Sequence, residues 1–259
     1  MEWWKMRSGG NETPSPAAPK PDFEAELVMQ RAQLISSDRI LDAGCGDGER
    51  AMALSVRGFT NITAIDRSGV KIATAKRRAA HRGLRISFAE GEPHHCRFQD
   101  GSFDAVLIFG NEFGRTQDPQ DDTNVLREAM RILRPSGTLI LSVVDGDWLC
   151  QHYLPDAAET IANNVRYLRR QISDDGSTLT THEMIVDQDN GLSTEHMSVE
   201  RLYTRGRIST LLHLVGFKAI SFGSPKRCDN RSERTTPRYT VTCRAAATHG
   251  VSEPMAKSA

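Results

Sequence analysis

The sequence lacks a C-x-x-C pair, and it has no stretch approaching the roughly 20 consecutive apolar residues of a membrane-spanning helix. Its five cysteines (Cys45, Cys96, Cys150, Cys228 and Cys243) are odd in number and scattered, which argues against both a disulfide framework and a cysteine-based zinc site. An excess of one charge is missing too. Lysine plus arginine (33) equals aspartate plus glutamate (33), so no overall positive field gathers nucleic acid or an anionic membrane. The start, Met1-Glu2-Trp3-Trp4-Lys5, has no apolar core of a secretory signal. These absences lead us to expect a cytoplasmic protein, monomer or homodimer, that binds no metal, nucleic acid or membrane. The adjacent His94-His95-Cys96 does not alter the metal expectation, because neighbours in a loop rarely converge on one ion.

What is present is an alternation of strand and helix patterns. Arg39 to Ala43 reads as a strand, Glu49 to Arg57 as a helix closed by Gly58, and Asn61 to Asp66 as a second strand. Ser68 is placed to cap a helix with Ile72, Ala75 and Ala79 on one face and Gly83 beyond its end. Strands over Arg85–Ala89 and Ser102–Phe109 follow, then an amphipathic helix through Val125, Ala129 and Ile132, a turn at Arg134-Pro135-Ser136-Gly137, and a fifth strand over Thr138–Val144. After Asp145 the pattern changes to strand-like runs at Asn164–Ile172, Ser177–Asp187 and Ser193–Tyr203. They are separated by the hairpin signals Asp174-Asp175-Gly176 and Asp189-Asn190-Gly191. A helix through Ile208, Leu211, Leu212 and Val215, ended by Gly216, and strands at Phe217–Phe222 and Tyr239–Arg244 complete the chain. The expected architecture is an α/β, Rossmann-like, doubly wound seven-stranded sheet. It is mainly parallel with an antiparallel edge strand, and it carries an antiparallel insertion after strand five. We divide the chain into a flexible segment at 1–21, one domain at 22–244 with the insertion near 146–203 as a substrate lid, and a flexible tail at 245–259.

In Asp42-Ala43-Gly44-Cys45-Gly46-Asp47-Gly48, alternate glycines let the backbone turn sharply between strand and helix and approach a ligand closely. A dinucleotide site would have glycine where Glu49 stands, so nicotinamide cofactors are disfavoured. Asp66 ends the second strand roughly 20 residues on, where a carboxylate can accept hydrogen bonds from both hydroxyls of a ribose.

The stretch Asp42 to Gly48 with Asp66 resembles motif I and the acidic strand end of class I S-adenosylmethionine-dependent methyltransferases. Phe88 to Pro93 followed by Phe98 to Asp104 is similar to that family's G-D-A and S-F-D segments, and Arg131 to Gly137 resembles its R-x-L-K-P-G-G turn. Ser136 replaces the turn's first glycine. The resemblance implies S-adenosylmethionine as cofactor, with Asp42, Gly44, Cys45, Gly46, Asp66, Arg67, Gly91, Glu92 and Asn111 around it. Glu92 stands where the family has an aspartate that receives the adenine amino group. Leu202-Tyr203-Thr204 and Val215-Gly216-Phe217 are similar to landmarks of members acting on small metabolites, whereas Phe109-Gly110-Asn111-Glu112 lacks the N-P-P-Y or D-P-P-Y of base and glutamine methylation.

Methyl transfer requires alignment of nucleophile, methyl carbon and sulfur, with a general base only for some acceptors. Glu112, His152 and Tyr153 are the catalytic candidates, with Trp148 near them, because they lie beyond carboxyl ends of strands four and five. Trp3 and Trp4 are candidates for an amphipathic lid. The expected reaction moves a methyl group to oxygen or nitrogen of a small metabolite. The alternatives are another transfer or cyclisation of the cofactor's carbon, or a cofactor-binding subunit without catalysis.

Overall fold

The computed structural model describes residues 21–110, 113–115, 118–223 and 238–246. Trp3, Trp4, Asn111, Glu112, Cys228 and nearly all of the tail from 245 lie outside them.

The glycine-rich turn connects β1 (Arg39–Ala43) to α2 (Glu49–Val56), and β2 (Asn61–Asp66) leads through α3 (Gly69–His81) to β3 (Ser87–Glu90). Next come β4 (Phe103–Ile108), α4 (Pro119–Ile132) and β5 (Leu133–Val144). Ahead of them all, α1 (Pro21–Ala32) lays Ala25, Val28 and Ala32 into the core at helical spacing. Seven strands form one sheet in the order β10-β11-β5-β4-β1-β2-β3. The β1–β2, β1–β4, β2–β3 and β4–β5 pairings are parallel, so their carboxyl ends open on one edge. The antiparallel edge is made by β10 (Phe217–Gly223) and β11 (Arg238–Ala245), which runs against both β10 and β5. The strand order reverses between β1 and β4, which places the ligand crevice of such a sheet at their carboxyl ends.

Alternation along β5 divides the core between the two faces of the sheet. Leu139, Leu141 and Val143 join the cluster under α4 and α6 (Arg205–Val215), whereas Ile140 joins the one under α1, α2 and α3. Local capping follows the sequence. The Ser68 and Thr204 side chains accept from the backbone amides of Lys71 and Arg207, and Gly216 ends α6 at φ 109°.

After β5 the chain enters α5 (Gly146–His152) and a separate antiparallel sheet of β6 (Asp156–Ile161), β7 (Asn164–Ile172), β8 (Thr178–Asp187) and β9 (Ser193–Arg201). The insertion returns where it left, since Asp145 and Tyr203 pair as a parallel bridge. Gly176 and Gly191 adopt the left-handed conformation that the two hairpin turns require.

The structure differs from the sequence expectation in several places. Helix α1, helix α5 and strand β6 were not anticipated, and β3 begins at Ser87 rather than Arg85. Arg134 to Gly137 is not a free turn but the irregular start of β5, where the β4–β5 register shifts between Phe103 and Ala105. Ser136 holds φ 61° there, a glycine-like conformation occupied by a residue with a side chain.

Candidate functional site

The turn after β1 is fixed by its neighbours. The amides of Gly44 and Cys45 both donate to the Ile65 carbonyl, at 2.8 and 2.9 Å, which carries the chain across the end of β2. Gly44, Gly46 and Gly48 have φ of 79°, 54° and 77°, a series that residues with a Cβ rarely adopt. The spaces around them differ. A Cβ on Gly48 would stand 2.8 Å from the Phe88 ring and 2.9 Å from the Ala75 Cβ, so this glycine lets α2, α3 and β3 close together. A Cβ on Gly46 would meet nothing within 4 Å, so that glycine faces open space.

Asp66 closes the arrangement. It is buried, one oxygen accepts from the Gly46 amide at 2.8 Å, and the other accepts from the Ser68 amide at 2.9 Å. A carboxylate oxygen has a second acceptor position, so each can still receive a ligand hydroxyl. Beside it, Gly91 donates its amide to the Asp66 carbonyl. Glu90 is packed over Gly69, where a Cβ would stand 2.5 Å from its carboxylate. Glu92 is exposed, bridges backbone to His95 and has His94 Nδ1 4.0 Å away; Arg67 is also exposed.

Asp42 is fully buried. Arg50 Nε donates to its Oδ1 at 3.0 Å and Nη2 makes a short second contact to the same atom, while Oδ2 has no protein partner among the described residues. Arg50 Nη1 continues to Glu24 of α1 at 2.7 Å, and its guanidinium lies 4.7 Å from the Phe109 ring centroid. Burial raises the carboxyl pKa of Asp42 and of Glu24 despite Arg50. Burial opposes the charge of Arg50 itself, but the two carboxylates keep it cationic. Burial likewise raises the Cys45 thiol, so this cysteine is a neutral wall of the turn.

Beyond β4 and β5 a second polar cluster joins the domain to the insertion. Asp122 of α4 accepts from the Gly114 amide at 3.0 Å, Arg201 Nε at 2.6 Å and the Tyr203 hydroxyl at 2.6 Å. Glu200 Oε1 receives Arg115 Nε at 3.0 Å, with Arg238 Nη1 3.9 Å away. His152 is exposed, stacked on Trp148 and directed through Nδ1 to the Trp148 carbonyl at 3.0 Å. Tyr153 caps α5 against the small cluster of Val144, Leu149, Leu179 and Leu202.

The family described as "Methyltransferase domain" matches residues 40–137, the stretch from β1 through the irregular start of β5. Residues 40–137 carry a methyltransferase domain. It is 35% identical over 117 residues to the uncharacterized methyltransferase YodH of Bacillus subtilis, a match covering 45% of this chain and 47% of that one. It is also 33% identical over 155 residues to the ubiquinone/menaquinone biosynthesis C-methyltransferase UbiE of Bartonella tribocorum, covering 53% and 58%. The chain thus spans about half the length of these curated relatives. A solved S-adenosylmethionine-dependent methyltransferase from Clostridium acetobutylicum shares the fold with a TM-score of 0.68 at 20% identity, over 88% of this chain and 91% of that one.

In the methyltransferase domain the open face of Gly46, the free acceptor positions of Asp66 and the unpartnered Asp42 Oδ2 suit a cofactor rich in hydroxyl and ammonium donors. The structure thus brings Asp42, Gly44, Cys45, Gly46, Asp66 and Gly91 to one crevice edge, while Arg67 and Glu92 stand exposed at its rim. Asn111 and Glu112 lie outside the described residues. Sequence reasoning missed Glu24, Arg50, Asp122, Glu200 and Arg238. For Arg50 a signal existed: it is the basic residue beside the otherwise small and apolar run Ala51-Met52-Ala53-Leu54 of α2, close after a buried acidic position. No helix among the described residues is long and apolar enough to cross a membrane, and no three metal-binding side chains stand together among them.

Proposed function

We propose that this protein transfers the methyl group of S-adenosylmethionine to oxygen or nitrogen of a small metabolite. The observation carrying the reading is the Asp66–Gly46 hydrogen bond, which couples a ribose-type acceptor to a turn with an open glycine face. When bound, the cofactor supplies an electrophilic methyl carbon with a neutral thioether as leaving group. The residues of this chain bind and orient: Asp66 by accepting hydroxyl hydrogens, Asp42 Oδ2 by accepting a donor near Gly44, and Gly91 and Glu92 by bounding the base. The insertion serves as the wall of the acceptor pocket, since it leaves and rejoins the domain at Asp145 and Tyr203, beside the end of β5.

Positioning alone can account for roughly 7–11 kcal/mol of the barrier. Tyr153 and His152 are the acceptor-side candidates for proton movement, His152 through Nε2 because Nδ1 is directed to a carbonyl. The purified full chain is incubated with S-adenosylmethionine and a metabolite extract, and the products are read by mass. S-Adenosylhomocysteine together with a product heavier by one methyl supports the proposal. Methylthioadenosine indicates aminocarboxypropyl transfer instead, and no turnover despite cofactor binding indicates a non-catalytic subunit. H152A and Y153F then separate roles: turnover slowed about a hundredfold or more marks a proton-transfer group, whereas a change confined to KM marks a contact.

A further inference from the structure

We propose that the acceptor carries an oxyanion, a carboxylate or phosphate, held by the guanidinium groups of Arg238 and Arg115 where β9, β11 and the loop after β4 meet. The inference rests on the methyl-transfer reading and adds to it the chemical class of the acceptor.

Arg238 opens β11 directly opposite Val144, at the carboxyl end of β5. Its side chain folds back along that strand, with Nε donating to the Ser142 hydroxyl at 3.1 Å and Nη2 to the Ser142 carbonyl at 3.2 Å. The remaining Nη1 is 3.9 Å from Glu200 Oε1, beyond hydrogen-bond distance, and that oxygen already accepts from Arg115 Nε at 3.0 Å. Two guanidinium groups therefore share one carboxylate. The side chains of Arg238 and Glu200 are 15% and 7% exposed and that of Arg115 is 31% exposed, so the surplus positive charge is held largely out of water.

An under-matched buried cation is costly, and burial lowers the Arg238 pKa to about 10, with Arg115 adding to the effect and Glu200 and Glu24 opposing it. Glu24 acts on Arg238 only at a distance: its carboxylate accepts from Arg50 at 2.7 Å, and no hydrogen bond joins it to Arg238. An arriving oxyanion would supply the missing charge and accept from the unused N–H groups, in the paired manner that guanidinium favours. The place suits an acceptor. Ser142 lies near the carboxyl end of β5, which is parallel to β4 and through it to β1, so it stands toward the same edge of the sheet as the turn after β1.

The competing account is that Arg238 merely ties β11 to β5. The two accounts separate in a binding experiment on the full chain loaded with S-adenosylhomocysteine, using ligand-observed NMR with benzoate, phenyl phosphate and the neutral benzamide. We expect benzoate or phenyl phosphate to bind at least tenfold more tightly than benzamide, and the preferred one identifies the oxyanion. R238M and the more exposed R115M should each erase that preference by at least tenfold while S-adenosylhomocysteine affinity changes less than twofold; R238K should retain part of it. Equal binding of benzoate, phenyl phosphate and benzamide by the wild type overturns the proposal. So does an unaltered preference in folded R238M or R115M. Loss of S-adenosylhomocysteine affinity in R238M without loss of the preference would assign Arg238 to the cofactor and overturn it too. Failure of the wild type to bind S-adenosylhomocysteine would instead strike at the methyl-transfer reading beneath it.

Discussion

Asp122 and Arg201 are 79 residues apart in sequence, yet the Asp122 carboxylate accepts a hydrogen bond from Arg201 Nε at 2.6 Å. The contact joins α4 of the parallel domain to the last residue of the insertion sheet, and Asp122 is 1% exposed. Because the same carboxylate also holds the Gly114 amide and the Tyr203 hydroxyl, it fixes the loop after β4 and the return from the insertion together.

Removing Asp122 should therefore loosen the insertion selectively. D122A removes a buried carboxylate that holds a part-buried guanidinium and a part-buried hydroxyl, and we expect a loss of about 3 kcal/mol. Y203F removes one hydrogen bond to a carboxylate and should cost about 1.5–3 kcal/mol. Hydrogen exchange of D122A should accelerate in β7 to β9 and residues 113–115 while β1 and β2 stay protected. Uniform exchange throughout the chain would contradict this division.

Replacing Arg50 by methionine tests the link between α1 and the cofactor turn. Asp42 and Glu24 would remain buried without their shared cation, so we expect about 3–5 kcal/mol of destabilisation at neutral pH. The direction with pH follows from their raised pKa values. A carboxyl whose folded pKa exceeds its unfolded one binds more protons when folded, so stability falls as pH rises above the unfolded values of 3.8 and 4.5. R50M should consequently lose less stability at pH 5 than at pH 8, as measured by denaturant titration. Equal losses at both would show that neither carboxyl titrates with folding.

The two glycines of the turn should fail differently. G48A drives a Cβ into the Phe88 ring and the Ala75 methyl at a backbone φ of 77°, and strain plus crowding should cost about 2–4 kcal/mol. G46A meets no protein atom, so its stability loss should be only about 1–2 kcal/mol from the backbone, while S-adenosylhomocysteine affinity falls at least tenfold. Thermal unfolding and calorimetry on both variants decide it. Retained affinity in folded G46A would mean that its open face does not meet the cofactor.

The parallel half was legible because its signals are local. A buried parallel strand reads as an apolar run, as in Phe103 to Ile108, and Ser68 and Gly83 punctuate α3. The hairpins at Asp174-Asp175-Gly176 and Asp189-Asn190-Gly191 were legible for the same reason. Helix α1 was not, since its buried face comprises only Ala25, Val28 and Ala32 and its docking depends on an ion pair from Glu24 to a residue 26 positions away. The acceptor side was hidden likewise. Arg115, Glu200 and Arg238 come from three distant segments, and no spacing rule links them before the β5–β11 pairing is known. Asp66 was recognisable by position, but its bond to the Gly46 amide required the folded turn.

That bond makes Asp66 the most informative single position in the proposed cofactor site. Its oxygens already accept from the Gly46 and Ser68 amides, so the residue both braces the turn and presents acceptor positions to a ligand. D66A removes both functions, whereas D66N keeps one oxygen acceptor and the side-chain volume but loses the charge. A hydrogen bond to a charged group contributes about 1.5–3 kcal/mol, so D66A should weaken S-adenosylhomocysteine binding about 10- to 100-fold by calorimetry, with D66N intermediate. Ribose contact and bracing then separate with a ligand comparison: 2′-deoxy and 3′-deoxy analogues should lose affinity for the wild type but lose little further for D66A. If the deoxy analogues bind the wild type as tightly as the parent compound, Asp66 acts through the Gly46 turn alone, and the ribose is held elsewhere.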